Sequence, residues 1–249
     1  MSLSQTESVT AERELIPQEE QLQIESPEIN HLVTEDDTPV DNFIQEKLQR
    51  FLVECLYSSL KLEIPFLAAA NVGLFYAIKQ APLVPDVMLS LEVAVPEDWS
   101  QKKNRSYFAW ELGKLPEVAI EIVSNKKGEE LGSKLKDYAR AGVAYYVVFE
   151  PLQKLGESLL RVYGLREGIY TELENSWMEQ VGLGLTLWQG EFEGINYNWL
   201  RWCDREGNLL LTGNERATEV ERLYLLERQR AERLASLLRD RGIDPQELL

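Results

Sequence analysis

The sequence predicts an α/β fold with a mixed central sheet flanked by helices, extended by β-hairpins and closed by a long C-terminal helix. Three observations carry this prediction. Residues 117–149 read as strand, helix, strand, a succession that argues for a right-handed crossover between parallel strands. Two apolar runs precede that unit, at 67–78 and 84–95, and hairpin patterns follow Pro151. Helical periodicity opens the folded part near Ile44 and closes it beyond Glu215.

Along the chain, residues 1–38 are rich in Ser, Gln, Glu and Pro without sustained periodicity, the composition of a disordered acidic tail. From Asp41, a capping candidate, Ile44, Leu48, Phe51, Leu52, Cys55 and Leu56 recur at helical spacing. The runs at 67–78 and 84–95 read as strands. A loop with Trp99, Lys102, Lys103, Asn104 and Arg105 leads to the strand at 117–124, where Val118, Ile120 and Ile122 point one way and Ala119, Glu121 and Val123 the other. Leu131, Leu135 and Tyr138 mark the next helix, which stops at Gly142, a natural C-cap. Residues 145–149 form a strongly apolar strand.

Residues 159–165 and 169–173 then read as a hairpin broken at Arg166, Glu167 and Gly168, followed by strand-like pieces around Leu183–Trp188 and at 197–202. The closing segment, 215–241, is a charged helix with Val220, Tyr224, Ala231, Leu234 and Leu238 near heptad spacing and Glu227 interrupting the seam. The expected organisation is a tail at 1–38, one domain at 39–205 and a helical appendage at 206–249.

Composition narrows the chemistry. The single histidine, His31, falls in the tail, so Ser-His and Cys-His triads and histidine-ligated zinc are excluded from the folded part. Cys55 and Cys203 lack metal-ligand spacing and read as core thiols. With no basic-then-apolar leader and no apolar run near the eighteen or so residues that span a bilayer, the expectation is a soluble cytoplasmic protein without a membrane partner. The net charge is −16, but residues 1–40 set ten acidic side chains against Arg13, so they hold −9 of it and the rest only −7. Polyanion binding through a local basic rim is compatible with that balance.

Three features then follow one another: Val84-Pro85-Asp86, Glu121-Ile122-Val123-Ser124, and Leu131-Gly132-Ser133-Lys134 with Asp137 and Tyr138. Asp86 after Pro85 has a plain reading as a turn residue at a strand entry. Glu121 between Ile120 and Ile122 is costly to bury without a partner, and a structural ion pair with Lys134 would supply one. Lys134 and Tyr138 lie one helical turn apart and share a face.

The runs PDVMLS, LPEVAIEIVS and LGSKLKDYARAGVAYYVVFEP resemble the core of the restriction-endonuclease-like bacterial family of the PD-(D/E)XK nuclease superfamily, over roughly residues 41–170. The resemblance implies a restriction-endonuclease-like core with a four-stranded mixed sheet. It also implies a Mg2+ or Mn2+ site for hydrolysing DNA phosphodiester bonds. Asp86 matches the family's PD aspartate and Glu121 its second acidic residue, the two metal ligands. The superfamily lysine two residues after that glutamate is replaced by Val123, and Lys134 matches the position from which this family supplies it.

Ser124 and Gln80 are candidates for hydrogen bonds behind the site, and Lys126 and Lys127 for a solvated turn near a phosphate. On the first helix Glu46, Lys47 and Glu54 border or oppose the apolar stripe, and none is assigned to the site. The expected function is a metal-dependent endodeoxyribonuclease. The alternative is a catalytically inactive nuclease fold serving as a scaffold, with a protein partner on the C-terminal helix. That helix also makes a homodimer the expected assembly.

Overall fold

The computed structural model describes residues 42–124, 129–153, 156, 158–242 and 244. The expected tail, with His31, and Asp41, Lys126 and Lys127 lie outside the described residues. Chain order is α1 (Phe43–Ser59), β1 (Phe66–Ala70), β2 (Leu74–Phe75), β3 (Val87–Leu91), β4 (Tyr107–Phe108), α2 (Ala109–Leu112), β5 (Val118–Ile122) and α3 (Ser133–Ala141). It continues with β6 (Tyr145–Phe149), β7 (Leu160–Arg166), β8 (Ile169–Glu172), β9 (Trp177–Met178), β10 (Leu183–Phe192), β11 (Ile195–Cys203) and α4 (Gly213–Asp240).

The central sheet is mixed and has six strands, in the order β1-β3-β5-β6-β7-β8. The four strands implied by the resemblance are its first four, and the β7–β8 hairpin adds the remaining two. Glu167 and Gly168, both at positive φ (51° and 79°), make the tight turn that a two-residue hairpin loop requires. β5 and β6 run parallel, joined by α3, as the strand-helix-strand pattern predicts. α3 ends where Gly142 takes φ 94°, a conformation costly for any side chain with a Cβ.

The strand expected over 67–78 is divided. Asn71, at φ 53°, turns the chain after β1, and Ile78 lies exposed in the following loop.

Alternation along the central strands sends side chains into two cores. One face carries Val87, Leu89, Val118, Ile120, Ile122 and Val147 against α1 and the β10–β11 hairpin. The other carries Met88, Ala119, Val123, Tyr146 and Val148 against Tyr138 of α3 and Tyr107 of β4. Cys55 and Cys203 are both free and buried, as their spacing predicts.

The cap of α1 is Asn42, not Asp41. Asn42 Oδ1 accepts from the amides of Ile44 and Gln45, both at 3.0 Å, and Gln45 returns the contact to the Asn42 amide, closing a capping box. Asn42→Ala is expected to destabilise the protein by about 1 kcal/mol, read as a lower urea midpoint with an unchanged slope. An unaltered midpoint would show that the box contributes nothing.

At the other end, Thr212 and Glu215 cap α4, and buried Arg201 grips the Glu215 carboxylate through two 2.7 Å contacts. No helix among the described residues is long and apolar enough to cross a membrane.

Candidate active site

β3 and β5 are antiparallel with Val87 opposite Ile120, so Asp86, one residue before β3, continues that register toward Glu121. Glu121 leaves the sheet on the α3 face, whereas Asp86, just outside β3, bonds to α1 and to the β5 backbone. Asp86 Oδ2 accepts the Ile122 amide at 2.6 Å, and Oδ1 accepts Gln49 Nε2 of α1 at 2.8 Å. Gln49 is held in turn by Asn71 Nδ2 at 2.9 Å, and Gln45 Nε2 donates to the Ile122 carbonyl at 3.2 Å. The N-terminal half of α1 thus closes the open end of the β3–β5 pair with amides rather than carboxylates.

Glu121 is buried, yet both its oxygens are used. Oε2 accepts Lys134 Nζ at 2.9 Å and Oε1 accepts the Tyr138 hydroxyl at 2.7 Å. Lys134 and Tyr138 reach it together because they are successive turns of α3, which packs on the strand face that carries Glu121. Lys134 keeps 37% of its side chain in solvent, against 4% for Glu121. One turn before it, Glu130 is buried and its Oε1 lies 3.4 Å from the same ammonium. Glu130 Oε2 has no hydrogen-bond partner among the described residues.

Burial dominates the electrostatics. Loss of solvent, then the Glu121 charge, pushes Asp86 up to about 7, against the Ile122 amide and Gln49. Glu121 is raised by burial, with Lys134 and Tyr138 opposing. For Lys134 burial works against the charge, but Glu121, Glu130 and Asp86 together hold the ammonium above its ordinary range. Tyr138 is raised well above a free phenol by burial and then by Glu121, so it stays protonated and donates.

Asp86, Glu121 and Lys134 therefore meet at one end of the β3–β5 pair. Tyr138 is a buried aromatic with a satisfied hydroxyl, and it also holds Glu121. Gln80 is exposed in the loop after β2, where its backbone amide bonds Ala77, and it does not stand behind the site. Glu46 and Lys47 face outward, to Arg50 and Glu193, and Glu54 accepts the Gly213 amide.

Sequence reasoning missed Gln45, Gln49, Asn71 and Glu130. Two glutamines in line with Leu52 and Leu56 on the buried face of α1 were a legible signal of polar work there. Glu130 gave none. An apolar cavity of about 450 Å3 opens farther along the same face, beside Met88, Trp99 and Tyr107, and includes neither site carboxylate.

Among the described residues, no three His, Cys, Asp or Glu side chains are grouped to hold a metal ion. Two buried carboxylates raised by burial are nonetheless a hard-oxygen donor set that suits Mg2+ or Mn2+, ions commonly bound by one or two carboxylates with water and substrate phosphate completing the shell. Glu130, whose Oε2 has no hydrogen-bond partner among the described residues, is a further carboxylate beside Lys134.

A family model described as "Uma2: Putative restriction endonuclease" matches residues 18–190. The chain belongs to this family. The match contains Asp86, Glu121 and Lys134 and begins ahead of α1. A solved structure described as "a putative nuclease belonging to DUF820 from Anabaena variabilis" is similar at 14% sequence identity and a TM-score of 0.40, over 55% of this chain and 71% of the other. No curated protein matches the sequence. Membership in the family supports a nuclease reading of the site.

Proposed function

We propose that the protein is a divalent-metal-dependent endonuclease that hydrolyses DNA phosphodiester bonds, with Asp86 and Glu121 as metal ligands and Lys134 as the cationic catalytic residue. The observation that carries this reading is the pair of buried carboxylates, one just ahead of β3 and one on β5 beside it, raised by burial and bordered by a part-exposed ammonium. A Mg2+ or Mn2+ ion held by Asp86 and Glu121 would supply a polarised phosphate oxygen and an acidified water.

The remaining roles belong to the chain. Gln49 and the Ile122 amide fix Asp86, and Tyr138 fixes Glu121, so neither carboxylate has to be ordered when substrate arrives. Lys134, charged at neutral pH, faces the opening and offsets negative charge that builds on a phosphate during attack. Tyr138 is a positioning residue.

The test is cleavage of plasmid and linear DNA by the full chain with Mg2+, with Mn2+ and with chelator. Metal-dependent cleavage is expected, abolished by Asp86→Asn and Glu121→Gln and reduced roughly 10²-fold or more by Lys134→Met. Cleavage that survives all three substitutions would overturn the assignment.

The 2.9 Å contact between Lys134 and Glu121 favours one second reading, a nuclease fold whose site is a structural ion pair and whose work is protein binding. Neither metal binding nor cleavage would then be observed. With DNA as the substrate, the proposed location is the cytoplasm. The proposed organisation is an N-terminal tail, the nuclease domain and α4 as an appendage that forms a homodimer.

A further inference from the structure

The turn ahead of α3 buries a carboxylate whose bonding the fold leaves incomplete. Glu129 takes φ 52°, and its carbonyl accepts the amides of Gly132 at 2.8 Å and Lys134 at 3.2 Å, which pins the turn to the start of α3. The Glu130 carbonyl accepts the Tyr146 hydroxyl of β6 at 3.0 Å, so the next residue is held against the sheet. Only 7% of the Glu130 side chain is exposed, yet Oε1 lies 3.4 Å from Lys134 Nζ and Oε2 has no hydrogen-bond partner among the described residues. A buried carboxylate oxygen without a partner costs stability, so packing is not the reason for keeping it.

Lys134 supplies a reason. Its ammonium is shared by two buried carboxylates, Glu121 at 2.9 Å and Glu130 at 3.4 Å. Glu121 uses both oxygens, Oε2 for Lys134 and Oε1 for Tyr138. As a metal ligand Glu121 has to turn one of them to a divalent cation, and an ammonium on the same carboxylate is then repelled by that charge. The ammonium needs another acceptor close by. Glu130 is already in contact with it, is fixed by its own turn, and has an oxygen to spare, whereas the part-exposed Lys134 side chain has room to move.

We propose that Glu130 is a positioning residue that takes the Lys134 ammonium from Glu121 when Glu121 binds the metal ion. The exchange frees a Glu121 oxygen, keeps the ammonium paired and leaves it beside the site. Glu130 is not cast as a third ligand, since among the described residues no three carboxylates are grouped to hold a cation. The inference rests on the nuclease reading, and specifically on Glu121 as a ligand.

The experiment titrates Mn2+ calorimetrically into the full chain without DNA. Glu130→Gln keeps the shape of the side chain and removes the charge that receives the ammonium. It is expected to raise the Kd for Mn2+ roughly 10–100-fold, the range for groups that orient a metal ligand. In a Lys134→Met background the same substitution is expected to change Kd by no more than about twofold, the margin of additivity, because no ammonium is left to move. Lys134→Gln takes the place of Lys134→Met if thermal melts show the methionine variant unfolded at the titration temperature. Equal weakening in the two backgrounds overturns the inference and makes Glu130 act on the cation independently of Lys134. An unchanged Kd for Glu130→Gln alone also overturns it, while leaving Asp86 and Glu121 as ligands. Absence of Mn2+ binding by the wild type overturns the nuclease reading itself, and this inference with it.

Discussion

In chelator, Asp86→Asn is expected to melt at or above the wild-type temperature at pH 8, although it removes a buried, fully hydrogen-bonded side chain. Wild-type folding at that pH carries an ionised carboxylate in a desolvated position beside Glu121, which raises Asp86 from 3.8 to about 7. A carboxyl raised on folding stabilises the protein fully below its unfolded value, and that contribution is lost as pH rises through the folded value. Wild-type stability in chelator should therefore decline between about pH 4 and pH 7, by on the order of 3 kcal/mol, and the decline should be much smaller in the variant.

The asparagine can keep its oxygen on the Ile122 amide and present its own NH2 to Gln49 Oε1, with Gln49 and Asn71 turning their amides over. Mn2+ or Mg2+ at one hundred times its dissociation constant should then stabilise the wild type by about 2.7 kcal/mol, a rise of several degrees, and the variant by little. Equal responses to metal in thermal melts would remove Asp86 from the metal site.

Lys134→Met probes the same centre from the other side. It leaves Glu121 buried with Tyr138 as its remaining side-chain donor. Breaking a buried pair from one side costs about 3–5 kcal/mol, and the 37% exposure of the Lys134 side chain puts this loss toward the lower figure. Without the ammonium, Glu121 is raised further, so the deficit should be larger at pH 8 than at pH 5, where the carboxyl can fold protonated. Adding Glu121→Gln should recover much of the loss, since no charge then remains stranded. Urea titrations at the two pH values decide it, and equal deficits for the single and double variants would show that Lys134 and Glu121 are not energetically coupled.

These two variants also separate a metal centre from a structural ion pair. A metal centre predicts that chelated wild type is strained at Asp86 and relieved by cation. A purely structural pair predicts a large cost at Lys134 and no response to cation anywhere.

Most of the sheet was legible from the sequence because its causes are local. Alternation across 118–123 set two faces of β5, the glycine at 142 stopped α3, and the apolar 145–149 run supplied the parallel neighbour. The order of Asp86, Glu121 and Lys134 gave the family and three candidate site positions, and the absence of histidine after His31 narrowed the chemistry those positions could carry.

Tertiary structure alone decided which polar groups lie underground. Glu129 and Glu130 are adjacent and identical in type, yet the first is exposed and the second is buried against Lys134, with its carbonyl on the Tyr146 hydroxyl. Gln49 and Asn71 acquire their roles only because α1 crosses the end of β3, and Gln80 loses its expected role because its loop stays outside. Periodicity and turn chemistry act over a few residues and are written in sequence order, whereas the desolvation that raises a carboxylate depends on which distant segments exclude water around it.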